Sequence, residues 1–304
     1  MRIGVMLGAD QHARSVDDMV DVAQRIEAAG LDHVWMANIR SLDAITTMTI
    51  VGRETQRIGV GTAVTPTYPR HPVAMAQQAL TAALATNGRF TLGIGLSHQI
   101  VIENMYGLSY AKPANHMREY LDVLMPLLRG ETVTYTGAHY NVRDIAIDIP
   151  GGTRLPVVVA ALGPVMLKLA GTLTDGTNTW MVGPKTMANH IVKRLGAAAS
   201  AAGKPNPLVV GGFPVVVTRN AAAVKAALAE PLAIYGQLPS YRAMLDREGL
   251  SAPTELAIVG DEAEVARQIE RVRDAGVTDF MAAIFEAEPG AFDRTLEFLS
   301  GVTF

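Results

Sequence analysis

Cysteine is absent from all 304 residues. That excludes disulfides, thiolate catalysis and cysteine-ligated metal sites. Charge is also scarce, with 18% charged residues and a net charge of −3. No basic cluster offers a positive stripe to a phosphate backbone, so no nucleic-acid partner is expected. No apolar run reaches the roughly 18–20 residues that span a membrane. The opening apolar run, residues 1–7, is short and is followed at once by Asp10, His12, Arg14 and Asp17. It predicts neither a signal peptide nor an anchor, and the expectation is a cytoplasmic protein without a membrane partner. Several chemical signatures are missing too. There is no Gly-x-Gly-x-x-Gly after the first apolar run, no His-x-His or His-Glu-x-x-His spacing, and no Gly-x-Ser-x-Gly elbow.

What is present is apolar material, 49% of the chain. Spread over this length it can bury a large core, and it excludes disorder. Residues 3–7 read as a short buried strand. Ser15 and Asp18 form a capping-box pattern, after which Val16, Met19, Val20, Ala23 and Ile26 recur at helical spacing. Gly30 suits the left-handed position that ends a helix, and a strand follows at 33–36. The same joint returns at Val272-Arg273-Asp274-Ala275-Gly276-Val277, behind a helix capped by Asp261. Ala170-Gly171, followed by Asp175-Gly176, is a looser third copy.

Eight strands are predicted, at 3–7, 33–36, 58–64, 90–95, 157–161, 177–181, 209–217 and 279–284. Helices separate nearly all of them, which implies a parallel sheet. Eight such units imply closure into an α/β (β/α)8 TIM barrel. An open doubly wound sheet is the alternative. Two stretches break the rhythm: a hairpin over 132–142 and a helical segment over 231–253. Neither has linker composition. The reading is one domain, 1–304, with insertions at about 131–155 and 231–256.

Active sites of this architecture lie at the carboxyl ends of the strands. Those ends carry few acids, only Asp10 and Glu286, and no metal set. The pattern points to a cofactor that brings its own chemistry. The apolar ends Met6, Met36, Val64, Leu96, Trp180 and Phe285 point to a substrate with apolar surface.

Four strand-end segments are more specific. They are Gly61-Thr62-Ala63-Val64-Thr65-Pro66-Thr67, Gly93-Ile94-Gly95-Leu96-Ser97-His98, Pro156 to Pro164 with Ala160-Ala161-Leu162-Gly163-Pro164 at its end, and the spacing from Asn104-Met105-Tyr106-Gly107 to His116-Met117-Arg118-Glu119-Tyr120. Together they resemble the luciferase-like monooxygenase superfamily, in its branch of coenzyme F420-dependent oxidoreductases. The resemblance covers nearly the whole chain. It implies hydride transfer between F420 and a small organic substrate, and a homodimer. It also implies a non-prolyl cis peptide, matched here to Thr62–Ala63, whose bulge supports the deazaflavin ring, with Thr65 near the ring's polar edge. Ala160, Ala161, Leu162, Gly163 and Pro164 match the segment that wraps the cofactor, and Ser97 is a further cofactor contact.

Other positions keep two readings. Asn38 matches a residue that is Asp in relatives where a His follows, whereas Ile39 follows here, which puts the sugar-phosphate dehydrogenase activity in doubt. Asn38 is then either a hydrogen-bond partner of the ring or a turn residue. His98 stands where that subgroup has an acid, so it is a catalytic acid–base or only a cofactor contact. Trp180 is an aromatic wall of the substrate pocket or core packing. Asp10 and His12 edge that pocket or belong to a solvated loop. Arg70, Lys168 and Lys185 are candidates for an acidic cofactor tail, though such side chains are mostly just solvated. The alternatives to F420 chemistry are reduced FMN acting with oxygen, a carrier that binds flavin or deazaflavin without turnover, and an unrelated lyase with Lys185 as Schiff base.

Overall fold

A computed structural model describes residues 1–9, 15–150 and 154–302. Eight parallel strands form the barrel: Arg2–Leu7, His33–Met36, Gly59–Thr62, Phe90–Gly95, Val157–Ala160, Gly176–Trp180, Leu208–Val217 and Asp279–Ile284. Each pairs with its neighbours in chain order, and Asp279–Ile284 pairs back onto Arg2–Leu7. The long strand Leu208–Val217 pairs with both Gly176–Trp180 and Asp279–Ile284. The circle is thereby closed, and the open-sheet alternative is excluded.

The predicted joints form for the predicted reasons. Asp18 N–H donates to Ser15 Oγ at 3.0 Å and Ser15 N–H to Asp18 Oδ2 at 2.8 Å, which satisfies two donors at the start of Val16–Ala28. Asp261 caps Glu262–Asp274 through Glu264 N–H at 2.8 Å. Gly30 and Gly276 end their helices at φ +84° and +96°. The looser third copy differs. Gly171 lies inside the helix Pro164–Leu173, where a Cβ would come within 2.6 Å of the Leu195 carbonyl oxygen. Its role is close helix packing, not termination.

The amino end of the barrel is held by acids. Asp32 accepts from Ile3 N–H at 2.7 Å and Asp175 from Val157 N–H at 2.9 Å. Glu27 accepts from Arg57 and Ile58 N–H at 2.6 and 2.8 Å. These carboxylates anchor strand starts, which is why so few acids remain for the mouth. A cavity of about 260 Å³ between Arg154, Asp175 and Lys204 also opens at this end, away from the strand carboxyl ends.

Inside, large side chains from one strand face glycines on its neighbours. His33 stacks on Trp35 with centroids 4.9 Å apart. A Cβ on Gly59 would stand 2.1 Å from the His33 ring, and one on Gly61 2.6 Å from Trp35. Above them Trp35, Val210 and Met281 form a buried floor, with half-buried Met6, Ala63 and Trp180 packed on it. The larger apolar cluster lies between strands and helices.

The predicted hairpin is present as Val133–Thr136 paired with Asn141–Ile145. Glu119 holds its turn by accepting from Ala138, His139 and Tyr140 N–H. The helical insertion folds as Ala229–Gln237, Pro239–Glu248 and a short 3-10 turn, Pro253–Leu256.

Candidate active site at the carboxyl ends of the strands

The third strand does not run unbroken over 58–64 as expected. It ends at Thr62, and pairing resumes at Thr65–Pro66 on Phe90–Gly95. A non-prolyl cis peptide interrupts it, at Ala63–Val64 and not at Thr62–Ala63. The expected bond was one too early because the sheet ladder continues through the Ala63 amide, which donates to the Met36 carbonyl at 2.8 Å. Ala63 packs on the Trp35 floor, while Val64 turns toward Gly95 and Ala160. Two successive side chains thus face the barrel interior. Gly95 makes room for this, since a Cβ there would lie 2.6 Å from Val64 Cγ2 and 3.1 Å from Ala160 Cβ.

The expected ring contacts divide accordingly. Thr62 is fully buried, and its hydroxyl is occupied by Gly93, donating to the carbonyl at 2.7 Å and accepting from the amide at 2.9 Å. It pins two strands together. Thr65 pairs with Ile94 and so shares the sheet face that packs on the helices; its Oγ1 is buried without a partner. Asn38 has a local role: its Oδ1 accepts from Ala44 N–H at 3.0 Å and from Arg70 at 3.4 Å. Its own N–H donates to the Val64 carbonyl at 3.4 Å, so it also holds the bulge. Arg70 is paired with Asp43 and so is not a free cation for a cofactor tail.

Ser97 and His98 leave the fourth strand. Ser97 has φ +59°, a left-handed conformation uncommon for a residue with a side chain, and its carbonyl accepts from Tyr110 Oη at 3.2 Å. His98 is the residue that caps the helix Gln99–Asn104 from just before it, but makes no side-chain capping bond. Burial pushes its imidazole below the ordinary histidine range, so the ring is neutral at pH 7.

At the fifth strand, Gly163 precedes the helix Pro164–Leu173 with no side-chain cap. A Cβ on Gly163 would meet nothing within 4 Å. The first-turn amides of that helix are therefore free of a capping side chain and exposed to an incoming oxygen.

Trp180 is found in core packing. It packs on the barrel floor beside Met281, and it also belongs to the core of the helical insertion. Asn178 Nδ2, two residues earlier on the same interior face, is buried without a partner. Asp10 and His12 lie outside the described residues. Among the described residues no cluster of His, Asp or Glu is placed to hold a metal ion.

Three features escaped the sequence reading. Tyr235 and Tyr241, both from the insertion, complete an aromatic chain from Trp180 to His98. Its ring centroids are 6.2 Å apart for Trp180–Tyr235, 4.9 Å for Tyr235–Tyr241 and 6.0 Å for Tyr241–His98. His116 stacks on Tyr68 at 3.9 Å, nearly parallel, and its Nε2 lies 3.1 Å from Thr67 Oγ1. His190, on a π-helical turn, contacts the Leu162 carbonyl at 2.8 Å. Lone histidines and tyrosines within helical patterns carry no spacing signal that marks such contacts.

A model of the luciferase-like monooxygenase family matches residues 1–279, and the chain belongs to this family. It is 32% identical over 189 residues to a putative coenzyme F420-dependent oxidoreductase of Mycobacterium tuberculosis, covering 58% of this chain and 54% of that relative. An F420-dependent glucose-6-phosphate dehydrogenase of Amycolatopsis mediterranei is 30% identical over 189 residues, covering 58% of this chain and 56% of the dehydrogenase. The matched segments thus span just over half the length of these relatives. Among solved structures, an F420-dependent secondary alcohol dehydrogenase in complex with an F420-acetone adduct superposes with a TM-score of 0.84 at 19% identity, over 99% of this chain and 98% of that one. This likeness shows the shared barrel.

Proposed function

We propose that this chain is a coenzyme F420-dependent oxidoreductase that transfers a hydride between F420 and a small organic substrate. One observation carries the reading: the third-strand bulge and the fifth-strand end converge at Gly95, through Val64 and Ala160, and the same fifth-strand end runs on three residues to the uncapped helix start at Gly163. That arrangement fits a flat ring joined to an anionic tail. The names of the relatives at 30% and 32% identity support F420 over FMN.

When bound, F420 supplies two-electron hydride chemistry. Ala63 and Val64 give the ring an apolar seat, and Gly95 leaves the room that lets Val64 turn into it. Asn38 N–H fixes the bulge from behind. Ala160, Ala161, Leu162 and Gly163 line the path to the helix start at Pro164. The amides of Val165 and Met166 in the first turn can bind a phosphate oxygen. Ser97 contacts the cofactor edge. His98, its pKa lowered by burial, accepts a proton at its imidazole while Tyr241 packs against its ring. Trp180 walls the substrate pocket.

The insertions form part of one barrel domain in this reading. A cytoplasmic location and a homodimer belong to the same proposal. Ile50 and Leu84, exposed on the outer helices Ala44–Glu54 and Pro72–Ala85, support pairing through those helices. No helix among the described residues is long and apolar enough to cross a membrane.

The test is anaerobic reoxidation of reduced F420 across a panel of carbonyl and enone acceptors. Reoxidation that needs both protein and acceptor supports the enzyme. Tight F420 binding with no turnover on any acceptor supports a carrier instead.

A further inference from the structure

The segment that leaves the fourth strand has little of its own to hold it. Ser97 takes φ +59° although it carries a side chain, and His98 makes no side-chain capping bond. The support comes from further along the chain. Tyr110 Oη donates to the Ser97 carbonyl at 3.2 Å, and Tyr110 N–H donates to Glu103 Oε1 at 3.3 Å. The Tyr110 ring stacks on Tyr68 with centroids 5.3 Å apart, and Tyr68 in turn lies face to face with His116 at 3.9 Å. Tyr68 follows the strand segment Thr65–Pro66, and His116 is buried in the helix Pro113–Leu128. The far end of the stack is tied down as well. Thr67 donates to the Gly95 carbonyl through its N–H at 2.9 Å and through its hydroxyl at 3.3 Å. With the hydroxyl proton used there, His116 Nε2 donates to Thr67 Oγ1 across 3.1 Å. Three stacked rings therefore join the end of the fourth strand at two points, the carbonyls of Gly95 and Ser97. His98 follows the second point directly.

We propose that Tyr110 is a positioning residue for the active site: its hydroxyl, braced by Tyr68 and His116, holds the Ser97 backbone in its left-handed conformation and so fixes where the His98 imidazole stands. This rests on the roles proposed above for Ser97 and His98. Tyr110 acts through the backbone and touches neither cofactor nor substrate. An imidazole moves a proton only within hydrogen-bond reach of the reacting atom, so a backbone that slips before it costs rate more than binding. Without the phenol, Ser97 relaxes toward the extended or right-handed regions that residues with a Cβ prefer. The half-buried His98 ring then leaves its place beside Tyr241 and meets water.

The experiment is a histidine titration by NMR on cofactor-free protein, with the His98 signal assigned from His98→Gln, beside anaerobic turnover of reduced F420. Tyr110→Phe keeps the ring and removes only the hydroxyl. It should raise the His98 pKa, which burial lowers, back toward the ordinary histidine value. It should also lower kcat about fivefold, the worth of one net hydrogen bond, with KM nearly unchanged. Tyr68→Leu, which breaks the stack and keeps the Tyr110 phenol, should move His98 in the same direction. Tyr68→Phe keeps the stack and loses only a hydroxyl that is buried without a partner among the described residues, so it should leave the His98 titration in place. In a Ser97→Gly background the left-handed conformation carries no steric penalty, and removing the Tyr110 hydroxyl should shift His98 less. An unmoved His98 titration in Tyr110→Phe overturns the proposal. So does a shift just as large in the Ser97→Gly background, since Tyr110 would then act on His98 without Ser97. The titration needs no cofactor, so a failure of F420 to bind or turn over is seen separately.

Discussion

His190 Nε2 donates to the Leu162 carbonyl across 2.8 Å, while Arg194 Nε donates to His190 Nδ1 at 3.1 Å. The arginine fixes which ring nitrogen is bare, and so aims the remaining N–H at the loop between Ala161 and Gly163. Burial and the nearby Arg247 and Arg194 lower the imidazole's pKa, so the neutral form persists at pH 7. A loop without side-chain caps is thereby held from outside. His190→Ala should weaken F420 binding about fivefold, the worth of one net hydrogen bond. His190→Gln, which keeps a donor, should recover much of it. Unchanged affinity in His190→Ala would refute this role.

Gly95 is a tight point under Val64. Gly95→Ala places a methyl 2.6 Å from Val64 Cγ2 and 3.1 Å from Ala160 Cβ. Valine is branched and stiff, so it yields poorly. The substitution should cost about 1–3 kcal/mol in denaturant unfolding and reduce cofactor affinity as well. A variant as stable as the parent, with full affinity, means the seat lies elsewhere.

Ser97 combines a left-handed backbone at φ +59° with a place beside His98. Glycine adopts that conformation without penalty, whereas a residue with Cβ pays about 1–2 kcal/mol. Ser97→Gly should therefore match or exceed the parent in stability yet bind F420 less tightly, because the hydroxyl is gone. Loss of stability together with affinity would show that Ser97 acts only through the fold.

The barrel should lose stability on mild acidification. Burial lowers the His116 pKa to about 4, helped by the facing His139 and opposed by Glu119. Burial lowers that of His33 as well, with Arg2 adding to the effect and Asp279 and Asp32 opposing it. In the unfolded chain both titrate near ~6.5. The unfolded state thus takes up protons first, and stability falls as pH drops from ~6.5 toward ~4, by at most about 3 kcal/mol for His116. The lowered carboxylates Glu27, Asp43 and Glu119 lose their contribution only below ~4.5. Denaturant midpoints at pH 7.5, 6 and 5 should fall steadily, and His116→Phe should reduce the slope. A flat profile above pH 5 would show that these rings are not held neutral.

The strand–helix alternation was readable because buried parallel strands and capped helices leave local marks. Ser15 with Asp18, Asp261 with Glu264, and Gly30 and Gly276 all lie within a few residues of the feature they specify. The third-strand cis peptide was readable because one short segment builds it, and even there the bond was placed one residue early. Sequence spacing cannot show that the Ala63 amide still belongs to the ladder. The aromatic chain was not readable at all. Tyr235 and Tyr241 reach His98 only because the insertion folds back over the mouth, 137 and 143 positions further along the chain (235 − 98 and 241 − 98). Gly59, Gly61, Gly93 and Gly95 fall in the expected strands, but their sequence does not show that they are interior positions cleared for Trp35, His33 and Val64.

The most direct test of the central claim is a fluorescence titration of the purified protein with F420 and, separately, with FMN. The account predicts saturable quenching by F420 at low concentration, a much weaker response to FMN, and loss of the F420 response in Gly95→Val, where a branched side chain collides with Val64 and displaces the seat. Preference for FMN would make the chain a flavin monooxygenase of the same family, and no response to either cofactor would contradict the site drawn between Ala63, Gly95 and Gly163.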